Sequence, residues 1–220
     1  MAKLQIFLYL KEVRAGRNIR DAINNTALHL AAESGNLDII KLLLDKGISV
    51  NLTDADELTP LHISARLGHL AATKALVERG AGINNTNKYG STPVMLASCN
   101  GKLDTFLYLT QIGADINIRD AINNTILHLA SASGNVDVIK LLLDQGMYVN
   151  LTNKIGCTPL HVSARLGHLD ATEILVESSA AINKGNISGN TPLNLATRNG
   201  YLYVGRLLIK KAVFIAVRDA

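Results

Sequence analysis

Six histidines and two cysteines are the side chains of this 220-residue chain whose chemistry would stand out. Four of the histidines, His29, His62, His128 and His161, close short phrases of one kind: TALH, TPLH, TILH and TPLH. Imidazoles that recur at one place would suit a divalent metal or a proton-transfer pair. His69 and His168 each follow a glycine, and Cys99 and Cys157 are the only thiols. Apart from these residues there is no H-E-x-x-H, no phosphate-binding glycine loop and no nucleophile with a base beside it. The expectation is a protein that is not an enzyme and carries no cofactor and no metal.

What these residues can do depends on the elements that hold them, and those elements follow one period. Thr26, Thr59, Thr92, Thr125, Thr158 and Thr191 are spaced by 33, and nine residues after each stands a glycine: Gly35, Gly68, Gly101, Gly134, Gly167 and Gly200. Gly47, Gly80, Gly113 and Gly146 keep the same period. Within each unit Thr is a good helix N-cap, and Pro60 sits at the first helical position, where its missing N–H costs nothing. The glycine after the first helix stops it. A second helix follows, as in LDIIKLLLDKG, where Ile39, Ile40, Leu43 and Leu44 form an apolar stripe and Gly47 supplies a left-handed stop. An Asp or Asn (Asp54, Asn87, Asp120, Asn153) then leads into the next turn. A longer echo overlies the period: of the 33 residues in 23–55, 23 recur 99 residues later in 122–154, as though a block of three units had been duplicated.

A period of 33 with T-P-L-H resembles the ankyrin repeat, and six copies in phase extend the resemblance over nearly the whole chain. It implies an all-α repeat solenoid, in which pairs of antiparallel helices are joined by β-turn hairpins and stacked. The expected organisation is a single repeat domain over 1–220, with a partial repeat at 1–22 and repeats at 23–55, 56–88, 89–121, 122–154, 155–187 and 188–220. The resemblance also implies that each T-P-L-H histidine braces its own turn by bonding to nearby backbone, and a structural role is expected for His69 and His168 as well. Geometry points the same way. Stacked helices lie roughly 8–10 Å apart, whereas ligands sharing a zinc lie about 2 Å from it. Cys99 and Cys157 fall two repeats apart, beyond the roughly 7 Å that a disulfide allows.

Several positions depart from the pattern. Glu57 stands where Gly90, Gly156 and Gly189 occupy the turn, and Asn24 and Asn123 are tolerable substitutes there. Met95 and Asn194 replace the histidine, while Ser179, Ala212 and Arg14 replace the helix-ending glycine. NIRDA at 18–22 returns at 117–121 and as AVRDA at 216–220, so the chain reads as a segment of a longer array.

Composition narrows the function. Hydrophobic residues make up 48%, enough for a sizeable core, but aromatics are only 4% and Trp is absent, which favours thin helical layers of Leu, Ile, Val and Ala. A net charge of +4 with no concentrated basic run gives no case for nucleic acid. MAKLQIFLYL is followed at once by charged residues with no cleavage signal, and no apolar run reaches the roughly 18 residues of a membrane span. With so few cysteines, the expectation is a soluble monomer in a reducing, cytoplasmic compartment.

In the family this chain resembles, partners bind the concave face formed by the turn tips and the exposed sides of the first helices. The candidate contacts are the tip residues Ile23, Asp56, Leu58, Lys88, Tyr89, Ile122, Lys154, Ile155 and Ile187, with Arg66, Arg165 and Arg198 toward the ends of the first helices. Ile23, Leu58, Tyr89, Ile122, Ile155 and Ile187 read as an apolar ladder across successive tips, which a partner segment would cover; mutual shielding of neighbouring tips is the other explanation. The basic residues beside it favour a protein or peptide partner that mixes apolar and acidic groups. Two alternatives to this interaction scaffold stand beside it: a structural spacer in a larger protein, or a substrate of asparagine hydroxylation at Asn51, Asn84, Asn117, Asn150 and Asn183, whose simpler role is side-chain bonding within the hairpin.

Overall fold

A computed structural model describes residues 20–218, with the backbone alone over 215–218. The expected partial repeat and Arg14 therefore fall largely outside the described residues. Among the described residues there are twelve α-helices and no strand. They come in pairs: α1 (Ala27–Ser34) with α2 (Leu37–Asp45), α3 (Pro60–Leu67) with α4 (Leu70–Glu78), and α5 (Pro93–Cys99) with α6 (Leu103–Gln111). Then follow α7 (Ile126–Ser133) with α8 (Val136–Asp144), α9 (Pro159–Leu166) with α10 (Leu169–Glu177), and α11 (Pro192–Arg198) with α12 (Leu202–Arg218).

Helices of seven to nine residues are too short to be stable alone, so each one depends on its neighbours. Every first helix packs on the next first helix and on its own partner, and second helices likewise pack on second helices, giving two layers that advance one pair at a time. The first-helix layer is close because small side chains, Ala32, Ala65, Ser98, Ser131 and Ala164, lie fully buried at one register. Leu28, Leu61, Val94, Leu127 and Leu160 are equally buried and form the spine of the core.

The helix ends are set locally. Thr59 adopts extended backbone, its hydroxyl accepts the His62 N–H, and Pro60 opens the helix; at the far end Gly68, at φ +80, closes it with N–H bonds to Ser64 and Ala65 carbonyls. The turn position with mixed residue types is left-handed throughout: Asn24, Glu57 and Asn123 have φ of 69, 59 and 65, like Gly90 at 74. Ser179, in place of a helix-ending glycine, also adopts the left-handed conformation at φ 66. At Ala212 the outcome differs. With no left-handed stop the helix does not end, and α12 runs for 17 residues where its counterparts run for nine.

Candidate functional site

The turn tips are built from the carboxylate or amide that precedes them. Asn87 Oδ1 accepts the backbone N–H groups of Tyr89 at 3.0 Å and Ser91 at 2.9 Å, and Asp54, Asp120, Asn153 and Asn186 hold their own tips in the same way. Neighbouring tips are then joined by backbone: Ala55 N–H to the Ile23 carbonyl (3.2 Å), Lys88 to Asp56 (3.1 Å), Ala121 to Tyr89 (2.8 Å), Lys154 to Ile122 (2.9 Å) and Ile187 to Ile155 (3.1 Å). These bonds fix one residue per repeat in a row: Ile23, Asp56, Tyr89, Ile122, Ile155.

Four of the five are large apolar side chains left in solvent, with Ile23 63% exposed, Tyr89 55%, Ile122 56% and Ile155 59%. Mutual shielding does not cover them. Asp56 interrupts the row and pairs with Lys88 at 2.5 Å, and the Lys88 ammonium also lies 5.0 Å from the Tyr89 ring centroid. Its pKa is raised by the Asp56 hydrogen bond, so Lys88 remains a cation.

Two residues expected in the ladder do not belong to it. Leu58 is only 8% exposed and packs in the core with Leu28 and Leu61. It stands two places beyond the ladder position, in register with Asn25, Ser91, Asn124, Cys157 and Asn190, where the chain turns inward to start the first helix. Ile187 is exposed but lies one place early, in register with Lys88 and Lys154; Ser188 holds the ladder position in that repeat. Counting by 33 from Ile23 would have separated both residues from the row.

The cations lie where the first helices end. Arg165 and Arg198 are exposed and Arg66 is half-buried. Arg198 folds back toward its own tip and donates to Asn190 Oδ1 at 3.1 Å. Among the described residues Arg66, Arg165 and Lys154 make no ion pair. Arg20, which the sequence reading did not single out, donates to the carbonyls of Asn24 (2.8 Å) and Thr53 (2.6 Å) and ties two successive turns together.

The histidines do more than brace their own turns. In each case Nδ1 accepts the N–H of the capping Thr, while Nε2 donates to a carbonyl in the next repeat: His29 to Leu58 (2.9 Å), His62 to Ser91 (3.1 Å), His128 to Cys157 (2.9 Å) and His161 to Asn190 (3.1 Å). Burial lowers the pKa of all four, that of His62 to about 4, which keeps the rings neutral. His69 and His168 reach backward instead, to the carbonyls of Glu33 (3.0 Å) and Ala132 (2.9 Å). No group of three potential metal ligands converges among the described residues.

The asparagines at the hairpins also bond across repeats rather than within one. Asn51 Oδ1 accepts the Gly82 N–H at 2.8 Å and its Nδ2 donates to the Gly80 carbonyl at 3.2 Å, and Asn150 does the same with Ala181 and Ser179. Cys99 and Cys157 are free thiols, and burial raises the pKa of Cys99. Among the described residues, no helix is long and apolar enough to cross a membrane.

Comparison with protein-family models identifies the period. A model of three consecutive ankyrin repeats matches residues 50–120, 74–153, 111–186 and 127–219, and a single-repeat model matches 24–55. Comparison with curated proteins finds no match. Ankyrin repeats are generally protein–protein interaction modules and typically non-enzymatic. The matches together run from residue 24 to 219, over the same helix pairs that stack in the structure, and the chain belongs to the ankyrin repeat family.

Proposed function

We propose that the array is a scaffold that holds a segment of another protein along its row of turn tips. The observation that carries this reading is the run Tyr89, Ile122 and Ile155: three large apolar side chains on consecutive tips, each more than half exposed, on a backbone that tip-to-tip hydrogen bonds make rigid. A row held in this way loses little conformational freedom on binding, so contact with it converts more fully into affinity. Lys154, Arg66 and Arg165, together with the Lys88 and Arg198 cations, favour acidic groups flanking the apolar anchors of the partner. Tyr89 is the strongest single anchor, since an exposed aromatic beside a cation offers both apolar area and a polar edge.

The test is affinity capture with the wild-type chain and with a variant carrying Tyr89→Ser, Ile122→Ser and Ile155→Ser. All three positions are exposed, so unfolding midpoints should stay equal while the partner is lost. Charge reversal at Arg66 and Arg165 should weaken the same complex and reduce its salt dependence. A partner retained by both variants would place binding elsewhere on the array.

A further inference from the structure

The first and last helix pairs among the described residues expose apolar side chains at positions that inner repeats cover. On α11–α12, Ile209 is 52% exposed, whereas Leu44 and Val176 at the same register are at 9%. Val213 is 59% exposed, against 6–8% for Ile48, Ala81, Ala114 and Ala180. Thr197 is exposed where Ala32, Ala65, Ser98, Ser131 and Ala164 are fully buried. These are the residues each inner repeat turns toward the repeat that follows it. On α1–α2 the opposite face is open: Leu30 is 47% exposed, against 5% for Ile63 and 8% for Val162, and Leu42 is 41% exposed, against 5% for Ala75.

The two faces are the halves of one interface, and the chain already contains that interface assembled. Repeat 89–121 stacks on repeat 122–154 through α5 on α7 and α6 on α8. Repeat 122–154 shares 23 of its 33 residues with 23–55, and its Leu129 and Leu141, in register with Leu30 and Leu42, pack against the core. The repeat that ends in α12 lies 99 residues after 89–121. We propose that a second copy of this chain docks its α1–α2 pair onto the α11–α12 face of the first, continuing the stack from one molecule to the next. The surfaces in contact differ, so the association is head-to-tail and does not close at two copies.

One charge pair works against it. Within the array an acid at the end of one second helix meets a base in the next repeat, Asp45 with Arg79 at 2.6 Å and Glu177 with Lys211 at 3.2 Å. In the stacked copies Lys210 takes the acid's place and Lys46 the base's. This repulsion keeps the association weak, and salt relieves it.

Sedimentation velocity of the 220-residue chain, from micromolar to hundreds of micromolar, tests the proposal with Ile209→Lys and Leu30→Lys. Wild type should associate progressively beyond a dimer, and more so at high salt. Each variant alone should be monomeric, while their equimolar mixture, having one intact tail and one intact head, should form a dimer and stop there. Lys210→Glu should tighten wild-type association roughly three- to tenfold, a gain that misfolding cannot produce. A wild type that stays monomeric throughout overturns the proposal. So does association that survives both substitutions, or a dimer lost with Ile209→Lys but kept with Leu30→Lys, which would mean a symmetric tail-to-tail contact.

Discussion

His128 donates its Nε2–H to the carbonyl of Cys157, 29 residues away in the next repeat, at 2.9 Å, while its Nδ1 accepts the Thr125 N–H at 3.1 Å. A backbone N–H can only donate and a carbonyl can only accept, so the two bonds together fix the neutral tautomer. Protonating Nδ1 would set two donors face to face. The same arrangement at His29, His62 and His161 makes four of the repeat junctions sensitive to acid.

Stability should therefore fall as the solution is acidified. The folded-state pKa values lie below the ordinary value of 6.5, so the unfolded chain takes up protons first. The contribution is fully present above about pH 6.5 and is lost as pH descends through the folded values. His62, at about 4, accounts for about 3 kcal/mol of that loss. Urea midpoints measured at about pH 7, 5.5 and 4.5 should decline steadily; equal midpoints would rule the mechanism out.

The junction between 89–121 and 122–154 lacks the histidine. Met95 offers no acceptor to the Thr92 N–H and no donor to the Asn124 carbonyl, which lies in register with the Cys157 carbonyl. Met95→His should restore both bonds and stabilise the array by about 1 kcal/mol. Chemical denaturation would show it, and a loss of stability would mean that methionine's packing outweighs the missing bonds.

Thr105 marks a second weakness in the same repeat. Its buried hydroxyl has no hydrogen-bond partner, and Val138 and Val204 occupy the same register in later repeats. Thr105→Val keeps the shape and removes the unpaired group, and should raise stability by about 1 kcal/mol. An unchanged midpoint would point to a bond the hydroxyl makes in solution.

Two left-handed glycines separate strain from collision. Gly146, at φ +82, has open space where a Cβ would stand, whereas a Cβ at Gly134, at φ +68, would lie 2.7 Å from the His168 ring that bonds the Ala132 carbonyl. Gly146→Ala should cost about 1–2 kcal/mol for the backbone alone. Gly134→Ala should cost at least about 1 kcal/mol more. Equal thermal shifts would mean that the ring gives way without loss.

Leu58 and Ile155 were grouped together on the sequence but have opposite environments. Leu58→Ser should destabilise by about 2–4 kcal/mol, while Ile155→Ser should stay within about 0.5 kcal/mol. Similar denaturation midpoints for the two variants would contradict the burial difference.

The sequence by itself determined the repeat unit, because the groups that define it act within a few residues. Thr59 caps a helix whose third residue is His62, Pro60 suits the first turn, and Gly68 takes a left-handed stop, each from its own stereochemistry. A period of 33 then dictated six copies of one structure. Tertiary structure decided what depends on residues about one repeat apart. The bond from His29 to the Leu58 carbonyl, the tip-to-tip bonds that set the Ile23 row, and the burial of Leu58 all arise only once one repeat has stacked on the next. So does the exposure of Ile209, whose residue type fits a core and whose neighbour is absent. Local chemistry names the unit, and the stacking of units decides which of its side chains meet solvent.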